Sequence, residues 1–170
     1  MCGITGFWDI SRRLNADRLQ ELSRQMSNTL LHRGPDDGGV WADEEVGISL
    51  GHRRLAIVDL SPEGHQPMLS AEGRYVIVFN GEIYNFLELQ RELKQLGHQF
   101  RGHSDTEVML ASFRQWGLDQ AIQRFNGMFA FALWDRQERV LHLGRDRFGE
   151  KPLYYGWVGD TLLFASELKA

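Results

Sequence analysis

The sequence predicts a layered antiparallel domain that mixes helices with strands, and three observations carry that prediction. The apolar segments CGITGFW (2–8), YVIVF (75–79), GMFAFALW (127–134), RVLHLG (139–144), PLYYGWV (152–158) and TLLFAS (161–166) are continuous rather than alternating, as in strands covered on both faces. Eighteen glycines punctuate the short strands, and links of hairpin length between the last four favour antiparallel over parallel pairing. Amphipathic helices supply the covering layers.

Taken in order, the first helix is read from Leu19, Leu22, Met26 and Leu30, which recur at three- and four-residue steps. The second follows from Phe86, Leu89, Leu93 and Leu96, with Gly97 as its stop. A third is expected from Thr106 to Trp116, closed by Gly117. HRRLAIVD (52–59) places Arg53 and Arg54 ahead of a strand, and HRGPDDGG (32–39) reads as a turn-rich loop with local ion pairs. GRDRFGEKPLYYG (144–156) reads the same way. It nearly spells a phosphate-binding loop through Gly144 and Gly149, but Glu150 stands where the lysine must be and Pro152 where the hydroxyl is needed.

A chain of 170 residues, 42% hydrophobic and 25% charged, is enough for one domain with a substantial core. The net charge of −4, without a basic block interleaved with aromatics, argues against nucleic acid. No apolar run reaches the length of a membrane span. Asp9 interrupts what would be the core of a signal peptide, and a lone cysteine suits a reducing, cytoplasmic setting. The six histidines lack metal-site spacing, so no metal is expected.

That cysteine is Cys2, directly behind the initiator methionine. Once Met1 is removed, a thiol and a free α-amino group share one residue. The amine, with a pKa of roughly 7.7–8.0, can accept the thiol proton near neutral pH. A lipid anchor at this place needs a signal sequence or a glycine, and a disulfide needs a second cysteine.

FNGEIYN (79–85) is first of all a strong hairpin-turn signal. Its functional reading is that the Asn80 amide and the Gly81 N–H point together at a developing oxyanion. HSDTEV (103–108) is a helix start, with Ser104 and Glu107 as a capping box. Beside Glu82, Asp105 can also complete an anionic pair for a substrate ammonium. Arg53 and Arg54 read as solvated surface arginines, although a guanidinium is also the natural fork for a substrate carboxylate. Thiol, oxyanion hole, arginine and two acids together describe a site for an α-amino acid with a carboxamide side chain, and glutamine fits.

From MCGI through HRGPD, RLAIVD, NGEIYN, SDTE, GMFAFALWD and RDRFGEKPLYY to SELKA, the whole chain resembles the class II glutamine amidotransferases, which are N-terminal nucleophile hydrolases. Within them it is most similar to the glutaminase domain of glutamine-hydrolysing asparagine synthetases. The resemblance implies an α+β fold, a four-layer αββα sandwich of two mainly antiparallel sheets. It implies that Cys2 attacks the glutamine amide, that Asn80 and Gly81 form the oxyanion hole, that Arg54 binds the α-carboxylate, and that Glu82 and Asp105 bind the α-ammonium. The backbone around Ile57 and Val58 is implied to line the pocket, while Arg53 receives no role.

Residues 1–170 are then the glutaminase domain, and the ATP- and Mg²⁺-using synthetase domain of that family, fused or separate, is absent from this sequence. No cofactor is expected in this chain, and a homodimer is possible. Two other functions stay open: a catalytically silent glutamine-binding or assembly module, and an amidotransferase half serving a sugar or lactam-forming acceptor.

Overall fold

The computed structural model describes residues 1–56 and 61–170. Its strands are β1 (Gly3–Asp9), β2 (Asp37–Asp43), β3 (Ile48–Arg54), β4 (Met68–Leu69), β5 (Tyr75–Ile83), β6 (Gly127–Asp135), β7 (Val140–Arg145), β8 (Tyr154–Val158) and β9 (Thr161–Ala165). Its helices are α1 (Ala16–Thr29), α2 (Phe86–Gln95), α3 (Asp105–Trp116) and α4 (Leu118–Arg124), with a single 3₁₀ turn at Pro62–Gly64. One sheet runs β2-β3-β1-β9-β8 and the other β4-β5-β6-β7, with every pairing antiparallel.

The layer order follows from which faces are apolar. Alternation along β5 sends Tyr75, Ile77, Phe79 and Ile83 against Val108, Met109 and Phe113 of α3 and Leu89 and Leu93 of α2. Val76 and Val78 point the other way, where they pack with Ala130, Ala132 and Trp134 against Ile4, Ile48, Leu50 and Phe164 of the facing sheet. α1 lies on the outer side of that sheet, over β1, β2 and β3, with Leu19 and Leu30 fully buried. The result is the expected αββα sandwich; the runs at β1, β5 and β6 are buried on both faces, and so is β3, which has no such run.

Local signals set the helix ends. The Asn15 side chain accepts from Arg18 N–H at 3.0 Å to start α1, and Ser104 Oγ accepts from Glu107 N–H at 3.2 Å to start α3. Glu107 does not reach back to Ser104. Its carboxylate accepts from Arg101 and Gly102 N–H at 2.8 and 3.0 Å, so only half of the capping box forms and the other half ties down the preceding loop. α3 ends at Gly117, whose φ is +75°. α4 begins at the same glycine; at seven residues it is too short to show a period in the sequence.

Four expectations are corrected. Arg53 and Arg54 close β3 instead of preceding a strand. The DGG of HRGPDDGG opens β2 rather than completing a loop. The link between β7 and β8 passes from one sheet to the other, so it is not a hairpin. β8 is exposed at every residue, with Tyr155 at 72% and Val158 at 68%. A single helix about 10 Å wide covers two or three strands spaced about 4.8 Å apart, and α1 leaves this edge bare.

Candidate active site

Asn80 and Gly81 are not in a turn. They lie inside β5, paired with Ala130 and Phe129 of β6. The glycine is required sterically: a Cβ on Gly81 would overlap the Met128 carbonyl and lie 2.7 Å from Phe129 Cα. Alternation puts the Asn80 and Glu82 side chains on the face turned toward the other sheet, at the end where β1 begins just after Cys2. Asn80 is 1% exposed, and among the described residues its Nδ2 has no hydrogen-bond partner. An unsatisfied buried donor costs roughly 1–3 kcal/mol, so this amide is set for an acceptor that the protein does not itself provide.

Cys2 Sγ accepts from Leu55 N–H at 3.4 Å, and the thiol donates to Leu55 O at 3.7 Å. Burial pushes the thiol up from its ordinary value, opposed by the Leu55 hydrogen bond and by the positive charges of the N-terminal amine and Arg54. Here that amine belongs to Met1, which stands 56% exposed at the same cavity.

The cavity has a volume of about 200 Å³ and is lined by Cys2, Arg54, Asn80, Gly81, Glu82 and Asp105 among others. A larger groove of about 810 Å³, between the β4 segment and α3, holds none of these six, and the smaller cavity is the one with convergent chemistry. Asp105, at the first turn of α3, accepts from Ile83 N–H at 3.0 Å. Burial pushes its carboxyl up to about 6, against hydrogen bonds from the Ile83 and Thr106 N–H groups, and the Glu82 carboxylate pushes it further. Arg54, at the end of β3, donates from Nη1 to Ser61 O at 3.0 Å. Its guanidinium lies over Gly64, where a Cβ would overlap it. Arg53 instead reaches outward to Asn28 and the Ser27 carbonyl. Ile57 and Val58 lie outside the described residues.

Two supports of the site are not legible in the sequence. Arg33, of the HRGPD segment, donates from Nε to Cys2 O at 3.0 Å and from Nη1 to Glu167 at 2.9 Å. The Arg33, His32 and Lys169 side chains hold the Glu167 carboxyl down at about 2. The main chain of Cys2 is thus gripped by a pair whose members stand 134 residues apart. Gln66 accepts from Phe79 N–H at 2.7 Å and donates to Thr106 Oγ1 at 3.3 Å, joining β5 to α3 across the pocket wall. Neither has a local signal, since Asp36 stands near Arg33 and Lys169 near Glu167 as more obvious partners.

Among the described residues no three His, Cys, Asp or Glu side chains come together to hold a metal, and no helix is long and apolar enough to cross a membrane. His52, fully buried and bonded to Phe79 O at 3.1 Å, is pushed down to about 4 by that burial and stays neutral.

A family model described as a glutamine amidotransferase domain matches residues 1–170. "Asparagine synthetase [glutamine-hydrolyzing] 3" of Bacillus subtilis is 45% identical over 172 residues, covering 100% of this chain and 27% of the relative. "Amidase chry2" of Gibberella zeae is 39% identical, with 100% and 26% covered. This chain therefore spans about a quarter of the length of such relatives. Among solved structures, the glutamine phosphoribosylpyrophosphate amidotransferase of B. subtilis, complexed with ADP and GMP, superposes with a TM-score of 0.75 at 22% identity. That match covers 98% of this chain and 42% of the other, and it bears on the fold alone.

Proposed function

The chain belongs to the family of glutamine amidotransferase domains, and from this we propose that it hydrolyses L-glutamine to glutamate and ammonia with Cys2 as nucleophile. The observation that carries the reading is the buried, unpartnered Asn80 Nδ2 in the cavity that holds the Cys2 thiol. With Met1 removed, the Cys2 amine takes the thiol proton and sulfur adds to the amide carbon. The resulting oxyanion accepts from Asn80 Nδ2 and Gly81 N–H. The amine returns the proton to nitrogen, the C–N bond breaks, and ammonia leaves. Water then hydrolyses the thioester. Arg54 receives the α-carboxylate, and Glu82 with Asp105 the α-ammonium.

In this reading the ammonia serves a synthetase domain that activates the acceptor with ATP and Mg²⁺, as the names and lengths of the asparagine synthetase relatives suggest. The exposed aromatic edge of β8 is a surface suited to such a companion. A cytoplasmic setting suits the free thiol.

The test is equimolar release of glutamate and ammonia from glutamine with ATP, Mg²⁺ and aspartate all omitted; binding without release makes the chain a silent module. Because the base must be a free amine, intact mass of active protein is expected to correspond to a chain starting at Cys2. An active species that keeps Met1 contradicts the mechanism. Asn80→Ala is expected to lower kcat by about 10²–10³ with little change in KM, since its bond strengthens only as the oxyanion forms. Arg54→Ala is expected to do the reverse, raising KM above all; steady-state kinetics of the two variants side by side separate the roles.

A further inference from the structure

Lys151 lines the same cavity, yet nothing in the mechanism above uses it. It is 7% exposed, and of the three lysines in the chain it alone is buried. The Lys94 ammonium donates to Gln90, and the Lys169 ammonium pairs with Glu167 at 3.2 Å. Lys151 Nζ has no hydrogen bond and no ion pair among the described residues; only its backbone is bonded. Its ammonium is not among the sealed side-chain atoms that lack a partner, and the open space that Lys151 lines is this cavity.

The backbone that carries Lys151 is held firmly. The Asp146 carboxylate accepts from the N–H groups of Phe129, Phe148, Glu150 and Lys151 at 3.0–3.2 Å. The Arg145 guanidinium donates to Lys151 O at 2.6 Å and to Gly149 O. Phe129 is the register partner of Gly81, and its neighbour Met128 is that of Glu82. The loop is therefore fastened to the strand beside the oxyanion-hole segment, and it brings one cation to that wall.

Four charged side chains then line the cavity: Arg54 from β3, Glu82 from β5, Asp105 from α3, and Lys151 from the β7–β8 link. The Cys2 thiol and the Met1 amine complete the titratable groups. Among these side chains two cations stand against two carboxylates. Without Lys151 only Arg54 and the N-terminal amine oppose the two carboxylates; the arginine is the fork for the substrate carboxylate and the amine is the base of the mechanism.

We infer that Lys151 is a positioning residue that keeps the Asp105 carboxyl ionised, so that it can join Glu82 in receiving the α-ammonium of glutamine. Charges lining a cavity this small lie within the screening length of physiological salt. The cation therefore acts on the carboxyls without touching them. The inference rests on the assignment of Glu82 and Asp105 to the ammonium.

Carboxyl ¹³C NMR of aspartate-labelled protein, with Asp105 assigned through Asp105→Asn, follows the Asp105 titration in wild type, Lys151→Met, Lys151→Gln and Lys151→Arg. The midpoint is expected to rise by about one pH unit in the Met and Gln variants and to stay in place with Arg. Glutaminase kinetics on the same proteins are expected to show KM raised about fivefold at pH 6 by Met or Gln. Near pH 8, where Asp105 is ionised in every variant, the KM values are expected to coincide, with kcat little altered throughout. An unmoved Asp105 midpoint overturns the inference, as does a KM increase equal at all pH values, which marks a packing role. A fall in kcat at constant KM also overturns it, assigning Lys151 to the reacting atoms instead. The NMR titration needs no substrate, so it decides the role of Lys151 even if the wild type proves not to hydrolyse glutamine.

Discussion

Cys2→Ala is expected to release no glutamate from glutamine while still binding it. Removing the nucleophile of a group that acts as a unit costs at least about 10⁴-fold in turnover. The substituted residue takes no part in the Arg54, Glu82 and Asp105 contacts proposed for the two ends of the amino acid. Its own contacts are weak sulfur hydrogen bonds to Leu55, and the grip of Arg33 is on the backbone carbonyl, which alanine keeps. Calorimetry on the variant is expected to show saturable binding of one glutamine per chain, beside a flat glutamate assay. Hydrolysis that survives in Cys2→Ala removes the cysteine from the mechanism. Loss of both binding and hydrolysis would assign it to the architecture of the pocket.

Asp105→Asn is expected to abolish glutamine binding and, without ligand, to make the protein more stable at neutral pH. Burial raises the folded-state pKa to about 6, above the ordinary carboxylate value of 3.8. The folded protein thus holds this proton more tightly than the unfolded chain does. The stability that follows is fully present below about pH 4 and is lost as pH rises through about 6. Above pH 6 the ionised carboxylate is carried into the cavity at a cost of about 3 kcal/mol. Asparagine removes that cost and keeps an oxygen to accept from Ile83 N–H, though it gives up a favourable charge at the first turn of α3. The net expectation is a gain of about 1–2 kcal/mol at pH 8, or a few degrees in Tm, vanishing near pH 4. Saturating glutamine is expected to reverse the order, because only the wild type gains from binding. Thermal melts at pH 4 and pH 8, with and without glutamine, measure all of this. Equal glutamine stabilisation of both proteins would take Asp105 out of the site.

Both predictions depend on residues that are legible in the amino-acid sequence alone, because their signals are local. Cys2 is singled out by its place in the chain. The periods of α1, α2 and α3 are visible over three or four turns, and the doubly buried runs of β5 and β6 show as unbroken apolar stretches. Asn80, Gly81, Glu82 and Asp105 stand out as candidates in short motifs, and the cavity does bring them together with Cys2 and Arg54.

Local signals fail where a distant strand or side chain outweighs them. Asn-Gly ordinarily closes a hairpin, because both residues tolerate positive φ. Here β6 runs alongside and pairs with the same segment as a strand, and the missing Cβ of Gly81 serves close strand packing instead of a turn. The grip of Arg33 and Glu167 on Cys2, the Gln66 brace between β5 and α3, and the arrival of Lys151 in the cavity all join segments distant in sequence. β8 reads as a core strand by composition and is bare because α1 covers only the other end of its sheet. Local pattern is enough to mark α1, α2 and α3, the buried runs of β5 and β6, and the side chains with the chemistry to act on a carboxamide. Which charges share one small cavity follows from the packing of distant segments, because ionisation and unmet hydrogen bonding depend on burial and on partners that the chain order does not contain.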